Sequence, residues 1–199
     1  MITLNELAPY QAQGTEATKL SLLTLLDYCA THEDAQIRYF ASEILLHMHS
    51  DASYLSASRS RCRVGGHFFL SKKIAEGQQI RHNGAILVIA AILKNVMASS
   101  AEAEPGGLFL NGKETIDLRE RLREMGHPQI EPTPIQTDNS TAMVITNNTI
   151  KQRRSKAMDM RFHWVRDRTT QKYILVYWRP GDTNLADYHT KFHSPAHHQ

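Results

Sequence analysis

The chain has 199 residues, 41% of them hydrophobic and 22% charged, and its formal net charge is only +3. That is the composition of an ordinary globule of one good-sized domain plus an appendage, and it excludes a general polycation. No apolar run reaches the ~18 residues that a membrane-spanning helix needs. Residues 1–9 lack the basic and apolar regions of a signal peptide. Cys29 and Cys62 have neither metal nor redox spacing, which fits a reduced intracellular protein.

The first predicted element is a helix over residues 15–32. Leu20, Leu22, Leu23, Leu25, Leu26 and Tyr28 give it a broad apolar face, Thr15 or Glu16 opens it, and His32-Glu33-Asp34 closes it. Residues 36–40 read as a short strand. This leader, residues 1–42, is too small to hold a core alone and must pack on the rest of the chain or on an upstream partner. From residue 43 the pattern is three strands, helix, strand, helices, strand, helix. The strands fall at Ile44–Asp51, Cys62–Leu70 (with Gly65-Gly66 as a bulge or close approach) and Gly84–Leu93. The last is nearly all apolar and reads as a buried central strand. Short polar connections predict antiparallel hairpins.

A helix follows over Ala101–Met125, stopped by Gly126 and Pro128. Pro132–Asp138 is the fourth strand, Asn139–Asn147 a short helix, Ser155–Arg168 a basic helix, Tyr173–Trp178 the fifth strand and Thr183–Lys191 a closing helix. Residues 194–199 form a frayed tail. Between Lys151 and Arg168 seven Lys/Arg face only Asp159 and Asp167, leaving the rest of the chain slightly acidic. A local basic segment of this kind suits a polyanion, although a solvated helix has the same look. Met158 and Val165 share a face with Arg154, Arg161 and Arg168, so some of these arginines can line the core edge. Phe162 and Trp164 read as core.

Four acids stand where strands end or helices begin: Asp51, Glu104, Asp138 and Asp187. Carboxylates so placed can converge, and hard divalent cations prefer such oxygens. Each has a plainer use as well. Asp51 can cap a turn, Asp138 can N-cap the next helix, and Asp187 can favour a helix dipole. Ser99 followed by Glu102 is a capping-box pattern. No Ser-His-Asp or Cys-His arrangement accompanies the acids. The late histidines His189, His193, His197 and His198 have no cysteine partner to make a zinc site.

Five stretches carry a resemblance: His49-Ser50-Asp51-Ala52-Ser53-Tyr54, Ser99-Ser100-Ala101-Glu102-Ala103-Glu104, Thr137-Asp138-Asn139-Ser140-Thr141-Ala142, Lys156–Arg166, and Asn184–Lys191. Each alone is weak; in this order they are similar to the ribonuclease H domain of copia-type retrotransposon polyproteins. Residues 14–44 resemble the end of the reverse-transcriptase connection before it. The resemblance implies an α/β, ribonuclease H-like fold, a mixed five-stranded sheet flanked by helices, over residues 43–193. It implies Mg²⁺-dependent hydrolysis of the RNA strand of RNA/DNA hybrids, with Asp51, Glu104, Asp138 and Asp187 as catalytic and metal-binding residues. Glu104 is chosen over Glu102 because the family's acid is second in the Glu-Ala-Glu triplet. Two Mg²⁺ ions, with Mn²⁺ as a substitute, would relieve the carboxylate repulsion, lower a water's pKa and stabilise the departing 3′ oxygen.

Substrate choice in such folds rests on shape and 2′-hydroxyls. Ser53, Asn139 and Ser140 are candidate contacts to the hybrid, and Lys151, Arg153, Arg154 and Lys156 candidate phosphate contacts. The implied setting is intracellular, in a cytoplasmic particle or the nucleus, with an upstream reverse-transcriptase domain as partner and no membrane. Two departures stand out. Pro105-Gly106-Gly107 follows Glu104 where helix formers are usual, which only a helix starting near Glu104 tolerates. The loop 178–182 lacks the histidine that some ribonucleases H use in turnover. An inactive remnant that folds and at most binds nucleic acid is the main alternative. A DNA-cutting relative of the integrases is a third.

Overall fold

The structure, a computed structural model, describes residues 2–57, 60–73, 80–94, 97, 99–146 and 160–193. Helices α1 (Ile2–Leu7) and α2 (Glu16–Thr31) form the leader. Strands β1 (Leu45–Ala57), β2 (Arg61–Ser71) and β3 (Ala85–Ile92) follow, and then helix α3 (Ser100–Glu124). Strand β4 (Thr133–Thr137), helices α4 (Ser140–Thr146) and α5 (Met160–Thr170), and strand β5 (Ile174–Trp178) complete the domain. The five strands make one mixed sheet in the order β3-β2-β1-β4-β5. β1 and β2, and β2 and β3, pair antiparallel; β1 with β4, and β4 with β5, pair parallel.

The core lies on one face of the sheet. Met48 and Phe68, which are register partners, meet Ile135 and Val176 from β4 and β5, and Leu108, Ala142 and Val165 from the covering helices. Phe162 is buried, and Trp164 packs edge-on to Phe109 at 5.4 Å, so both belong to the core side. Alternation along the strands sends the odd residues of β1 to the opposite face. There His47 and His49 gather with Phe69, His67 and His82 around one aromatic nucleus. Both faces of β1 are therefore buried from Leu46 to Asp51.

These histidines are held neutral. Burial pushes His47 and His67 down to about 4, and lowers His82 too. Below pH 6.5 the unfolded chain takes up protons that the folded chain refuses, so stability declines as pH falls from about 6.5 toward 4. Each imidazole contributes up to ~1.4 kcal/mol per pH unit. Urea melts across this range in chelator check the trend, and the double variant His47→Gln, His67→Gln is expected to flatten it.

Several expectations are revised. β3 is an edge strand, half-buried, and not the buried central strand that its apolar run predicts. The leader protects its free edge: the Asn5 side chain donates to the Ala90 carbonyl, and Glu6 pairs with the buried Arg63 of the neighbouring strand. Residues 36–40 are not a strand. They run extended beside the start of β3, where Gly84 N donates to Arg38 O at 3.0 Å and Phe40 N to the Asn83 side chain at 2.8 Å. β1 continues past Asp51, so that residue lies inside the strand, opposite Gly65. Thr15 caps α2 as expected, yet α2 buries no residue, and Leu20, Leu22, Leu23, Leu26 and Tyr28 are exposed.

The closing segment is not one α-helix but two 3-10 turns, Gly181–Thr183 and Leu185–His189. Asn184 separates them with an extended backbone. Its side chain donates to Ser50 O at 2.9 Å and accepts from Ala186 N at 3.1 Å, which ties the chain to β1 and breaks helical continuation. No helix among the described residues is long and apolar enough to cross a membrane.

Candidate active site

β1 and β4 are parallel neighbours with Met48 aligned to Ile135 and His49 to Gln136. Continuing that register brings Asp51 level with Asp138, which follows the last residue of β4. Glu104 arrives from above, in the second turn of α3. The three side chains converge: one carboxylate oxygen from each of Asp51, Glu104 and Asp138 lies within 4.8 Å of the others. Among the described residues no other group of three His, Cys, Asp or Glu side chains comes together in this way.

Asp51 and Glu104 are buried, 1% and 6% exposed, and Asp138 is half-buried. Glu104 Oε2 is enclosed without a hydrogen-bond partner. Burial, reinforced by the Asp51 and Asp138 charges, pushes the Glu104 carboxyl up to about 9. Asp138 is raised by burial and by Asp51. A buried, unpartnered carboxylate oxygen beside two further acids can be satisfied by a cation, and these hard oxygen donors suit Mg²⁺ or Mn²⁺ better than soft metals. The residues fit a divalent ion.

Asp187 does not join the triad. It lies beside Asp51, in the second 3-10 turn, and its pKa is raised by burial and by Asp51. Lys191, one helical turn on, donates to Asp187 Oδ1 at 3.0 Å and reaches Asp51 Oδ1 at 3.4 Å. Thr190 Oγ1 donates to the other Asp51 oxygen, Oδ2. Reading the acids alone misses Thr190 and Lys191. The signal was the spacing of Asp187 and Lys191, four apart, which places opposite charges on one side of a turn.

The turn bearing Asp187 reaches the sheet through a glycine. A Cβ on Gly65 would lie 2.5 Å from Ala186 O and 2.9 Å from Thr190 Cγ2. Leu185 N donates to His49 Nδ1 at 3.1 Å, which fixes that imidazole with Nδ1 unprotonated. Gly65→Ala is expected to lift the turn off β2 and lower stability by roughly 1–3 kcal/mol. Denaturant melts give the loss, and a change in Asp187 chemical shifts shows the displaced carboxylate.

The Pro105-Gly106-Gly107 stretch behaves differently from the expectation. α3 begins at Ser100, so Pro105 lies inside the helix and not at its first position. The Ser99 side chain makes no capping bond, so the predicted Ser99–Glu102 capping box lacks its serine half. Glycine has a use here: a Cβ on Gly107 would sit 3.3 Å from Ala52 Cβ, beside Asp51. The helix thus approaches β1 closely at the point where Glu104 must meet Asp51.

The remaining candidates are scattered. Ser53 is on β1, and its hydroxyl donates to Ser56. Asn139 caps α4, accepting from Ala142 N at 3.0 Å, and Ser140 is exposed at its start. Lys151, Arg153, Arg154 and Lys156 lie outside the described residues.

No protein-family profile matches the chain. Over 108 residues, 54% of its length, it is 32% identical to the retrovirus-related Pol polyprotein from transposon TNT 1-94 of Nicotiana tabacum, of which this region makes up 8%. Its structure is similar to LC11-RNase H1, isolated from compost, with TM-score 0.51 and 11% identity over 74% of this chain and 93% of that one. It is likewise similar to the N-terminal RNase H domain of a Mycobacterium tuberculosis protein, with TM-score 0.52 and 13% identity over 74% of this chain and 91% of that domain. The fold is that of ribonuclease H.

Proposed function

We propose that this chain hydrolyses the RNA strand of RNA/DNA hybrids with divalent cations held by Asp51, Glu104, Asp138 and Asp187, as part of a retrotransposon reverse transcriptase. The observation that carries the reading is the buried triad with its orphaned Glu104 oxygen, on a ribonuclease H fold. Mg²⁺ or Mn²⁺ bound there would supply Lewis-acid activation of water and neutralise charge developing on the scissile phosphate.

The chain's own groups do the rest. Thr190 and Lys191 each hold one oxygen of Asp51 and fix its carboxylate plane. Glu104, enclosed between α3 and β1, excludes bulk water from the inner side of the triad. Asp138, half-buried, is the member of the triad most accessible to an approaching strand. Ser53, Asn139 and Ser140 contact the hybrid beside the acids, and Lys151, Arg153, Arg154 and Lys156 grip phosphates. Residues 1–42 are the polymerase connection, docked on the β2–β3 edge by Glu6 and Asn5, and the partner is the upstream polymerase domain.

A second reading, an inactive remnant that still binds hybrid, is favoured by one observation, the proline inside α3 next to Glu104. A labelled RNA/DNA hybrid incubated with Mg²⁺ separates the two, with Asp138→Asn and free RNA as controls. Hybrid-specific cutting that disappears in the variant supports the enzyme. Binding without cutting by the folded protein supports the remnant.

A further inference from the structure

Lys191 occupies a particular position in the acid cluster. Its ammonium lies between Asp51 and Asp187, 3.4 and 3.0 Å from their oxygens, and its charge also reaches Asp138 and Glu104 through space. Asp51 is thereby shared by two cation positions. One is the triad, where the Glu104 oxygen has no partner. The other is the Asp51–Asp187 flank, where a cation is already present as part of the chain. The Lys191 side chain is 42% exposed while Asp51 is 1% exposed. Its flexible stem can therefore carry the ammonium outward into water, and Asp51 cannot follow.

We infer that Lys191 is a built-in cation that stands in for a divalent ion on the Asp51–Asp187 flank, so that the two flanks fill in sequence and the second fills only as the ammonium swings away. The inference rests on the metal-binding reading of the acids and deepens it. Coulomb repulsion between ammonium and metal at a few ångströms makes joint occupancy unfavourable in a half-buried site. The triad fills first, because Lys191 pairs with only one of its three acids, Asp51, whereas on the other position it pairs with both Asp51 and Asp187. Displacing Lys191 sets the affinity of the second step. The arrangement keeps Asp51 paired when divalent ions are scarce, and it makes the fully loaded site dependent on ion concentration.

The test is a calorimetric titration of Mn²⁺ into the full chain, for the unaltered protein, Lys191→Met and Lys191→Arg. The unaltered protein is expected to bind one ion tightly and a second weakly. Lys191→Met keeps the stem and removes the charge; it is expected to tighten the second step by roughly tenfold or more and the first by clearly less, so that the ratio of the two affinities falls. Lys191→Arg keeps a cation and is expected to retain the two separated steps. A purely structural lysine would lower the melting temperature in chelator without changing the ratio of the two affinities, so melts run alongside distinguish the roles. Superposable isotherms for the unaltered protein and Lys191→Met overturn the inference, as do two equal steps in the unaltered protein. If none of the three proteins binds Mn²⁺, the metal-binding reading of the acids fails, and the inference falls with it.

Discussion

Asp51→Asn is expected to lower Mg²⁺-dependent cleavage of an RNA/DNA hybrid by on the order of 10³-fold or more. Asp51 is the one acid common to both groupings in the cluster: its carboxylate converges with Glu104 and Asp138 and also pairs with Lys191, which bridges to Asp187. Replacing it removes a charge from every cation position at once, and the several kcal/mol of transition-state stabilisation that a bound ion supplies correspond to that factor. The fold is expected to survive. The asparagine amide oxygen can still accept from Thr190, and Lys191 keeps Asp187. Initial rates on a labelled hybrid, with melting curves to verify folding, measure both sides. Retention of more than about a tenth of the rate would exclude Asp51 from the chemistry.

Glu104→Gln is expected to separate function from stability. Cleavage is lost, because an amide cannot offer the same hard, charged donor. The metal-free protein becomes more stable at alkaline pH. The Glu104 carboxyl, raised from an ordinary 4.5 to about 9 by burial and by Asp51 and Asp138, keeps its proton in the folded chain. Between those values the unfolded chain has released that proton, so the folded state loses stability as pH rises. Glutamine does not titrate and is free of this loss. Denaturant melts in chelator are expected to coincide near pH 5 and diverge toward pH 8, with the variant ahead by roughly 1–3 kcal/mol. Parallel curves would show that Glu104 is not buried against its neighbours' charges.

Much of the architecture is legible in the sequence because apolar runs and turn residues mark element existence well. The three antiparallel strands, the long helix and the β4–α4 step stand near their expected places. Periodicity says less about where an element sits. β3 is as apolar as a central strand, yet its outer edge is covered by Asn5 and α1, a contact made 85 residues away in sequence. The closing segment has helical spacing from Thr183 to Lys191, but Asn184 bonds β1 and bends it into 3-10 turns. Residues 36–40 look like a strand because Tyr39 and Phe40 lie against the start of β3 without pairing as one.

The candidate site divides in the same way. The alignment of Asp51 with Asp138 follows from two apolar runs that become parallel neighbours. Glu104 over Glu102 could not be decided from spacing alone, since both sit in one acidic triplet at the opening of α3; the resemblance favoured Glu104, and the triad contains it. The place of Lys191 was signalled only by its spacing from Asp187, and that signal is weak: a lysine four residues after an aspartate is ordinary surface chemistry until the turn is folded back against a buried carboxylate. Pro105-Gly106-Gly107 reads as damage in one dimension. In three, Gly107 is the gap through which α3 reaches Ala52.

The most direct measurement is the chemistry of the cut ends. A hybrid whose RNA strand carries a label at either end is digested with Mg²⁺ and, in parallel, with chelator, and the products are resolved against standards. Attack by an activated water with departure of the 3′ oxygen leaves a 5′-phosphate and a 3′-hydroxyl on the RNA, only with Mg²⁺ present, and leaves the DNA strand intact. A 2′,3′-cyclic phosphate, cutting that persists in chelator, or equal cutting of the DNA strand would contradict the assignment of this chain as a metal-dependent nuclease of the RNA strand.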